Sequence, residues 1–363
     1  MKEKHDALLT VCELGRIGDI VASEPVYRYL KQLYPDRKLR WYTKADYADL
    51  LRFSPAVDEV VAVRDAEEYL FEKKNLPPGT ISYELNFTSP ALSAGSSDSS
   101  NSSNSLGQMQ SSSRKGRNGK SSRNASPDIF PSLLEQFSCA AGLSVPDETP
   151  IFHFNPEGEI PRLPGPYAVF HCSSNGRSRQ WQAKNWRVLA EMFLSAGWHV
   201  VEIGLHPLLK LEHPFLIDKT GKADLQTAAR IIANAGVFVG IESGFGHIAN
   251  ATGVFGIILT GKLRHYPEYV TYSGRYRKGE SCNLVRYYDI PANSLPLFPA
   301  QEAVRRFLAG NPMTAAECRA FCLTEQIKTL HRLPEYRFRK LLLYPFERLS
   351  RTIAYHYLRH SGK

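Results

Sequence analysis

The sequence predicts an α/β protein built from two doubly wound halves that face a common cleft. Two observations carry that expectation. Short apolar runs alternate with helically spaced segments along most of the 363 residues, which implies βαβ units and parallel sheets. The alternation is broken by a proline-rich stretch at 145–166 and then starts again, which marks two domains. In sheets of this kind ligands sit beyond the carboxyl ends of the strands, so a cleft between two such domains is the expected site.

Residues 7–12 (ALLTVC) are an unbroken apolar run, as expected of a strand covered on both faces. A glycine-punctuated turn, GRIGD (15–19), leads into a helix over 18–34. Strands follow at 38–43, 57–63 and 80–87. Between Thr88 and Ser126 the chain holds 15 serines and almost no large apolar side chains. It cannot bury enough surface to offset its ordering entropy, so disorder is expected there. Helical spacing returns at 130–143. The expected organisation is therefore a first domain over 1–150, a linker over 151–166 and a second domain over 167–310. The second domain reads strand 167–173, helix 185–197, strand 199–204, helix 223–236, strand 237–241, short helix 247–253 and strand 255–261. A basic helical tail spans 311–363.

Bulk properties narrow the function classes. The composition, 43% hydrophobic and 22% charged, is that of a globular chain with no run long enough to span a bilayer. No secretory leader is evident in MKEKHDALLTVC. Six scattered cysteines without a CxxC pair fit reduced thiols in a cytosolic protein better than a metal centre or a disulfide framework. The formal net charge is +9, and residues 327–363 carry nine Lys/Arg against two acids. Interleaved with Leu, Phe and Tyr, that charge suits a helix on an anionic membrane surface, or a terminal helix packed on the body with a solvated basic face. No nucleic-acid motif accompanies it.

Three loops could do chemistry. In VGIESGFGHIANATG (239–253) a strand stops at small residues and a helix opens, so free N–H groups could receive a diphosphate; a plain tight turn is the alternative. Its Gly240-Ile241-Glu242-Ser243-Gly244 spacing is wrong for a hydrolase elbow. In HCSSNGRSRQWQAKNW (171–186), Ser173 and Ser174 offer hydroxyls, and Arg177 and Arg179 offer cations for a developing diphosphate or simply for solvent. The turn Gly15-Arg16-Ile17-Gly18-Asp19 lacks both the dinucleotide and the Walker glycine patterns. Asp19 would occupy the positive helix end that a phosphate needs. An aspartate there is ordinarily a helix cap, but this one also faces the cleft.

These blocks together resemble glycosyltransferase family 9, the ADP-heptose:lipopolysaccharide heptosyltransferases. The likeness rests on GRIGDIVASEPVYRYLKQLYPD, on HCSSNGRSRQWQAKNWRVLAEMFLSAGWHVVEIG and on DKTGKADLQTAARIIANAGVFVGIESGFGHIANATGV, in that order along the chain. It leaves out the Ser-rich insert and the basic tail. The resemblance implies the GT-B arrangement of two Rossmann-like domains, with acceptor on the first domain and nucleotide sugar on the second. It implies that Asp19 is the general base of an inverting transfer, on a loop with Gly15, Arg16 and Gly18. Ser173, Ser174, Arg177, Arg179, Glu242, Ser243, Gly244, Gly246 and His247 would serve the donor and its phosphates. No D-x-D motif is present, in keeping with a transfer that uses no metal; no cofactor is expected, the nucleoside-diphosphate sugar being a substrate. Glu242 replaces the family's usual Asp, and Arg179 replaces a Lys, a fork in place of a point charge.

The function expected is transfer of a heptose or related sugar to a lipopolysaccharide-type or other envelope glycan acceptor, at the inner face of the cytoplasmic membrane. The basic tail would make a peripheral contact there, or cross back to the first domain as carboxy-terminal helices of this fold do. Transfer to protein side chains and non-catalytic nucleotide-sugar binding are the alternatives.

Overall fold

The computed structural model describes residues 8–85, 132–159, 163, 165–174, 176–262 and 269–331. The Ser-rich segment 88–126 and the end of the tail, 332–363, lie outside the described residues.

The first domain runs β1 (Leu8–Cys12), α1 (Ile17–Ala22), α2 (Glu24–Leu33), β2 (Lys38–Lys44), a 3-10 turn at Ala45–Leu50, β3 (Glu59–Val63), α3 (Ala66–Lys74), β4 (Ile81–Glu84) and α4 (Leu133–Ala140). Its strands pair in parallel in the order β3-β2-β1-β4. Every residue of β1 is buried, as the unbroken apolar run requires of a central parallel strand. The single helix expected over 18–34 is two helices meeting at Ser23. Pro25 explains the break: it offers no N–H, and its ring would clash with the carbonyl one turn back.

The second domain runs β5 (Tyr167–His171), a 3-10 turn at Arg177–Arg179, α5 (Ala183–Ser195), β6 (His199–Glu202), β7 (Leu216–Asp218), α6 (Leu225–Ala233), β8 (Val237–Ile241), α7 (Gly244–Thr252), β9 (Gly256–Thr260), α8 (Arg275–Lys278), β10 (Cys282–Arg286), α9 (Leu297–Leu308) and α10 (Ala315–His331). Its six strands are parallel in the order β10-β9-β8-β5-β6-β7. Numbered within the domain this is 3-2-1-4-5-6, the doubly wound order with its switch point between β5 and β8. Helix α5 buries Trp186, Leu189, Ala190 and Phe193, the one-faced spacing of a helix laid on a sheet.

Several elements escaped the sequence: α3, β7, α8, β10 and α9. Helix α10 occupies the start of the segment expected as a tail. It packs along β10 through buried Cys318 and Cys322. Gln326 fixes its far end, accepting from the Tyr288 N–H at 2.7 Å and donating to Asp289 at 2.5 Å.

The domains meet through α1 and α7. A Cβ added to Gly244 would lie 2.7 Å from the Cβ of Ile17, so only glycine lets these helix starts come so close. Polar ties flank this contact. Gln226 donates to the Asp49 carbonyl at 2.8 Å, and Arg277 pairs with Glu135 at 3.0 Å.

Candidate active site

A cavity of about 930 Å³ opens between the two sheets at their carboxyl ends, and both domains line it. Its size suits a ligand as large as a nucleotide sugar.

The first-domain wall begins where β1 ends. The chain turns through Glu13–Arg16, and Asp19 is the third residue of α1. The Asp19 carboxylate accepts the Arg16 N–H at 2.8 Å and lines the cavity with Arg16, Ile17 and Gly18. It is therefore both a cap and a cleft-facing group. Glu13, one residue past the strand, is buried, and its Oε1 accepts the Gly15 N–H at 2.7 Å. Two successive backbone N–H groups thus hold two carboxyl groups. A Cβ on Gly15 would fall 2.6 Å from both Asp19 Oδ2 and Glu13 Oε1, which is why glycine stands there. Burial, and then the neighbouring Asp19 charge, push the Glu13 carboxyl up to about 8, so it keeps its proton at neutral pH.

The second-domain wall gathers residues from three strand ends. His171 ends β5, and Ser173 and Ser174 follow it; Lys219 follows β7; Glu242, Ser243 and Gly244 follow β8. Trp181 anchors the loop after β5. It is buried, donates its indole N–H to the Leu295 carbonyl at 2.8 Å, and stands edge-on to Trp186. The Gln180 side chain accepts the Ser174 N–H at 3.0 Å, which closes the loop on itself. Arg179 is thereby aimed across to buried Glu242, pairing with its carboxylate at 2.7 Å. Two of the residues that depart from the family resemblance thus contact each other.

Ser243 is the N-cap residue of α7, in an extended conformation. His247, one turn into the helix, is buried, and burial lowers its proton affinity to about 3, leaving it neutral at pH 7. Its Nδ1 has no hydrogen-bond partner among the described residues. The nine-residue helix starts at the cavity, which Arg179, Lys219 and Lys262 also line, and a helix start of this kind favours an anion.

Of the residues singled out in the sequence, Arg16, Gly18, Asp19, Ser173, Ser174, Arg179, Glu242, Ser243, Gly244 and His247 line this one cavity. Gly15, Arg177 and Gly246 are not among the lining residues. Gly15 makes room for the two carboxyl groups. Gly246 packs against Tyr272, whose hydroxyl would lie 2.4 Å from a Cβ there. Arg177 belongs to the turn before Arg179, and its carbonyl accepts from Asn293 at 3.2 Å. The sequence reading missed Glu13, His171, Lys219 and Lys262. His171 and Lys262 adjoin strand ends that were recognised, so their position was a usable signal. Lys219 follows a strand of only three residues, too short to carry a period.

Comparison with known proteins gives this geometry a context. The sequence model of glycosyltransferase family 9 (heptosyltransferase) matches residues 136–262, which include the whole second-domain wall up to Lys262. Among curated proteins none matches the sequence. Solved structures match in fold. A glycosyltransferase family 9 protein from Veillonella parvula is 15% identical at a TM-score of 0.61, covering 86% of this chain and 99% of that one. The E. coli ADP-heptose lipopolysaccharide heptosyltransferase II is 17% identical at 0.56, covering 88% and 99%. The E. coli heptosyltransferase WaaC, solved with ADP, is 17% identical at 0.55, covering 84% and 99%. With the family model matching residues 136–262 and that architecture shared over most of its length, the chain is similar to glycosyltransferase family 9 across that stretch and has the GT-B fold.

Proposed function

We propose that this protein is an inverting glycosyltransferase that takes its sugar from a nucleoside-diphosphate donor. One observation carries the reading: a single cavity has Asp19 on one wall and, on the other, an anion-receptive helix start with three cationic side chains. The donor diphosphate lies against the first turn of α7, near Arg179, Lys219 and Lys262. The acceptor enters over α1, with its hydroxyl at Asp19. Asp19 takes the hydroxyl proton as the acceptor oxygen bonds to the anomeric carbon. The bond from that carbon to the phosphate oxygen breaks, and its electron pair leaves on the diphosphate. Attack from the face opposite the leaving group inverts the anomeric centre. The helix end and the cations stabilise the charge that grows on the diphosphate, and the base lowers the cost of ionising the hydroxyl.

Two further points extend the proposal. The WaaC structure with ADP favours an ADP-sugar as first donor to try, and the heptosyltransferase relatives favour a heptose on an envelope glycan acceptor. Asp19→Asn tests the core of the reading, because the amide keeps the size and cannot take the proton. Transfer should fall by about 10²–10⁴-fold, with the affinity for the nucleoside diphosphate within twofold of wild type. Full transfer activity in that variant would remove Asp19 from the chemistry.

A further inference from the structure

The N-cap serine of α7 behaves unlike Ser132, Asp65 and Asp224, the short polar N-caps with an extended backbone that bond their own helix; Ser23, which also makes no side-chain cap, has a helical backbone. A serine in that position ordinarily accepts the N–H two or three residues on. Ser132 does so at the start of α4, accepting from Glu135 at 3.2 Å, and Asp65 and Asp224 do the same at α3 and α6. Ser243 has nearly the same extended backbone as Ser132 but makes no side-chain cap. Its hydroxyl lies 3.0 Å from His171 Nδ1 instead.

His171 is well placed to hold it there. It is the last residue of β5, on the central strand beside β8, and only 7% exposed. Its ring packs edge-on against Phe245, with centroids 4.8 Å apart. Burial lowers its proton affinity to about 4, so at neutral pH it acts as a hydrogen-bond partner and adds no charge of its own. The same helical turn carries a second buried polar group. His247 Nδ1 is unpartnered among the described residues on a side chain 2% exposed, and His247 lines the cavity.

We propose that His171 is a positioning residue that draws the Ser243 hydroxyl off the first turn of α7, leaving its leading N–H groups, those of Gly244 and Phe245, open to the donor diphosphate, the Gly246 N–H being given to the Ser243 carbonyl at 3.0 Å. A capping hydroxyl and a phosphate oxygen compete for the same donors, so the helix can bind the ligand only while its own cap is turned aside. The inference rests on the donor-site reading above and deepens it.

Calorimetry with ADP on four proteins tests it: wild type, His171→Ala, Ser243→Ala and the double variant. In His171→Ala the freed hydroxyl caps the helix, and ADP should bind about fivefold more weakly, the size of one N-cap hydrogen bond. Ser243→Ala, which removes the competing hydroxyl, supplies the reference affinity for the cycle. In the double variant no hydroxyl remains to compete, so affinity should return to that of Ser243→Ala. A merely structural role for His171 would leave the double variant as weak as His171→Ala or weaker, and that result overturns the proposal. So does unchanged ADP affinity in His171→Ala. If the alanine variant does not fold by thermal melting, His171→Leu fills the space without a hydrogen bond and is judged by the same cycle. Wild type that binds none of ADP, UDP and GDP overturns the donor-site reading itself, and this inference with it; the wild-type arm tells the two failures apart.

Discussion

The loops after β1 and after β8 are the same unit turned to opposite uses. Each runs from a buried parallel strand through a small-residue turn into a helix, and each helix start faces the cavity. In the first loop Asp19 folds back on its own helix start and accepts the Arg16 N–H, so the positive helix end is already neutralised from within. In the second the N-cap hydroxyl turns away to His171, and the helix end stays receptive. A strand-turn-helix unit thus becomes a base or an anion site according to what its capping side chain does.

Making the second loop like the first should have the largest effect. Ser243→Asp puts a carboxylate at the start of α7, where it caps the helix and repels phosphate. A charge pair about 4 Å apart is worth about 4 kcal/mol at the effective dielectric near a protein surface. Nucleoside-diphosphate affinity, read by calorimetry, should therefore drop by more than about 100-fold, while the melting temperature holds or rises. Retained affinity would mean that the helix end is not the anion site.

A smaller effect is expected where the two loops touch. Gly244→Ala would bring a Cβ to 2.7 Å from Ile17 and 3.1 Å from the Gly18 nitrogen, forcing the helix starts apart. Overpacking of this kind costs about 1–3 kcal/mol. Chemical denaturation should register that loss, and transfer should fall further than donor affinity does, because base and donor are displaced relative to each other. Equal losses in both would place the damage in the donor site alone.

The smallest effect concerns Glu13, whose counterpart in the second loop, Glu242, is instead paired with Arg179. Its folded pKa of about 8 stands above the ordinary 4.5, so the folded protein binds its proton more tightly than the unfolded chain. The associated stability is full below about pH 4.5 and is lost as pH rises through about 8. Glu13→Gln keeps the acceptor for Gly15 and has no proton to lose. Its melting temperature should exceed that of wild type by a few degrees at pH 8.5 and match it near pH 5. Parallel profiles for the two proteins would show that Glu13 ionises normally.

Most of the fold was legible, because strands covered on both faces are written as unbroken apolar runs and helices as one-sided spacing. The elements that escaped are short, like β7, or follow the last recognised strand, like β10 and α9. The site was legible wherever its residues are neighbours in the chain. Gly15–Asp19 could be read as one turn, and Glu242–His247 as one strand-to-helix junction. Its internal pairings were not. Arg179 and Glu242 are 63 residues apart, and His171 and Ser243 are 72 apart; only the crossover that sets β8 beside β5 brings them together. Glu13 was not singled out, because its burial is set by the folded turn around it and by no pattern along the chain.

The glycine contact between α1 and α7 has a mechanical consequence. It lies beside both reactive loops, with Gly244 against Ile17 and Gly18 against His247. Should the two sheets rock relative to each other to admit substrates, this contact is the fulcrum. Points far from a fulcrum travel and points near it do not, so the outer rim of the cavity would widen while Asp19 and the start of α7 kept their separation. The protein could then open for its substrates without taking its base away from its leaving-group site.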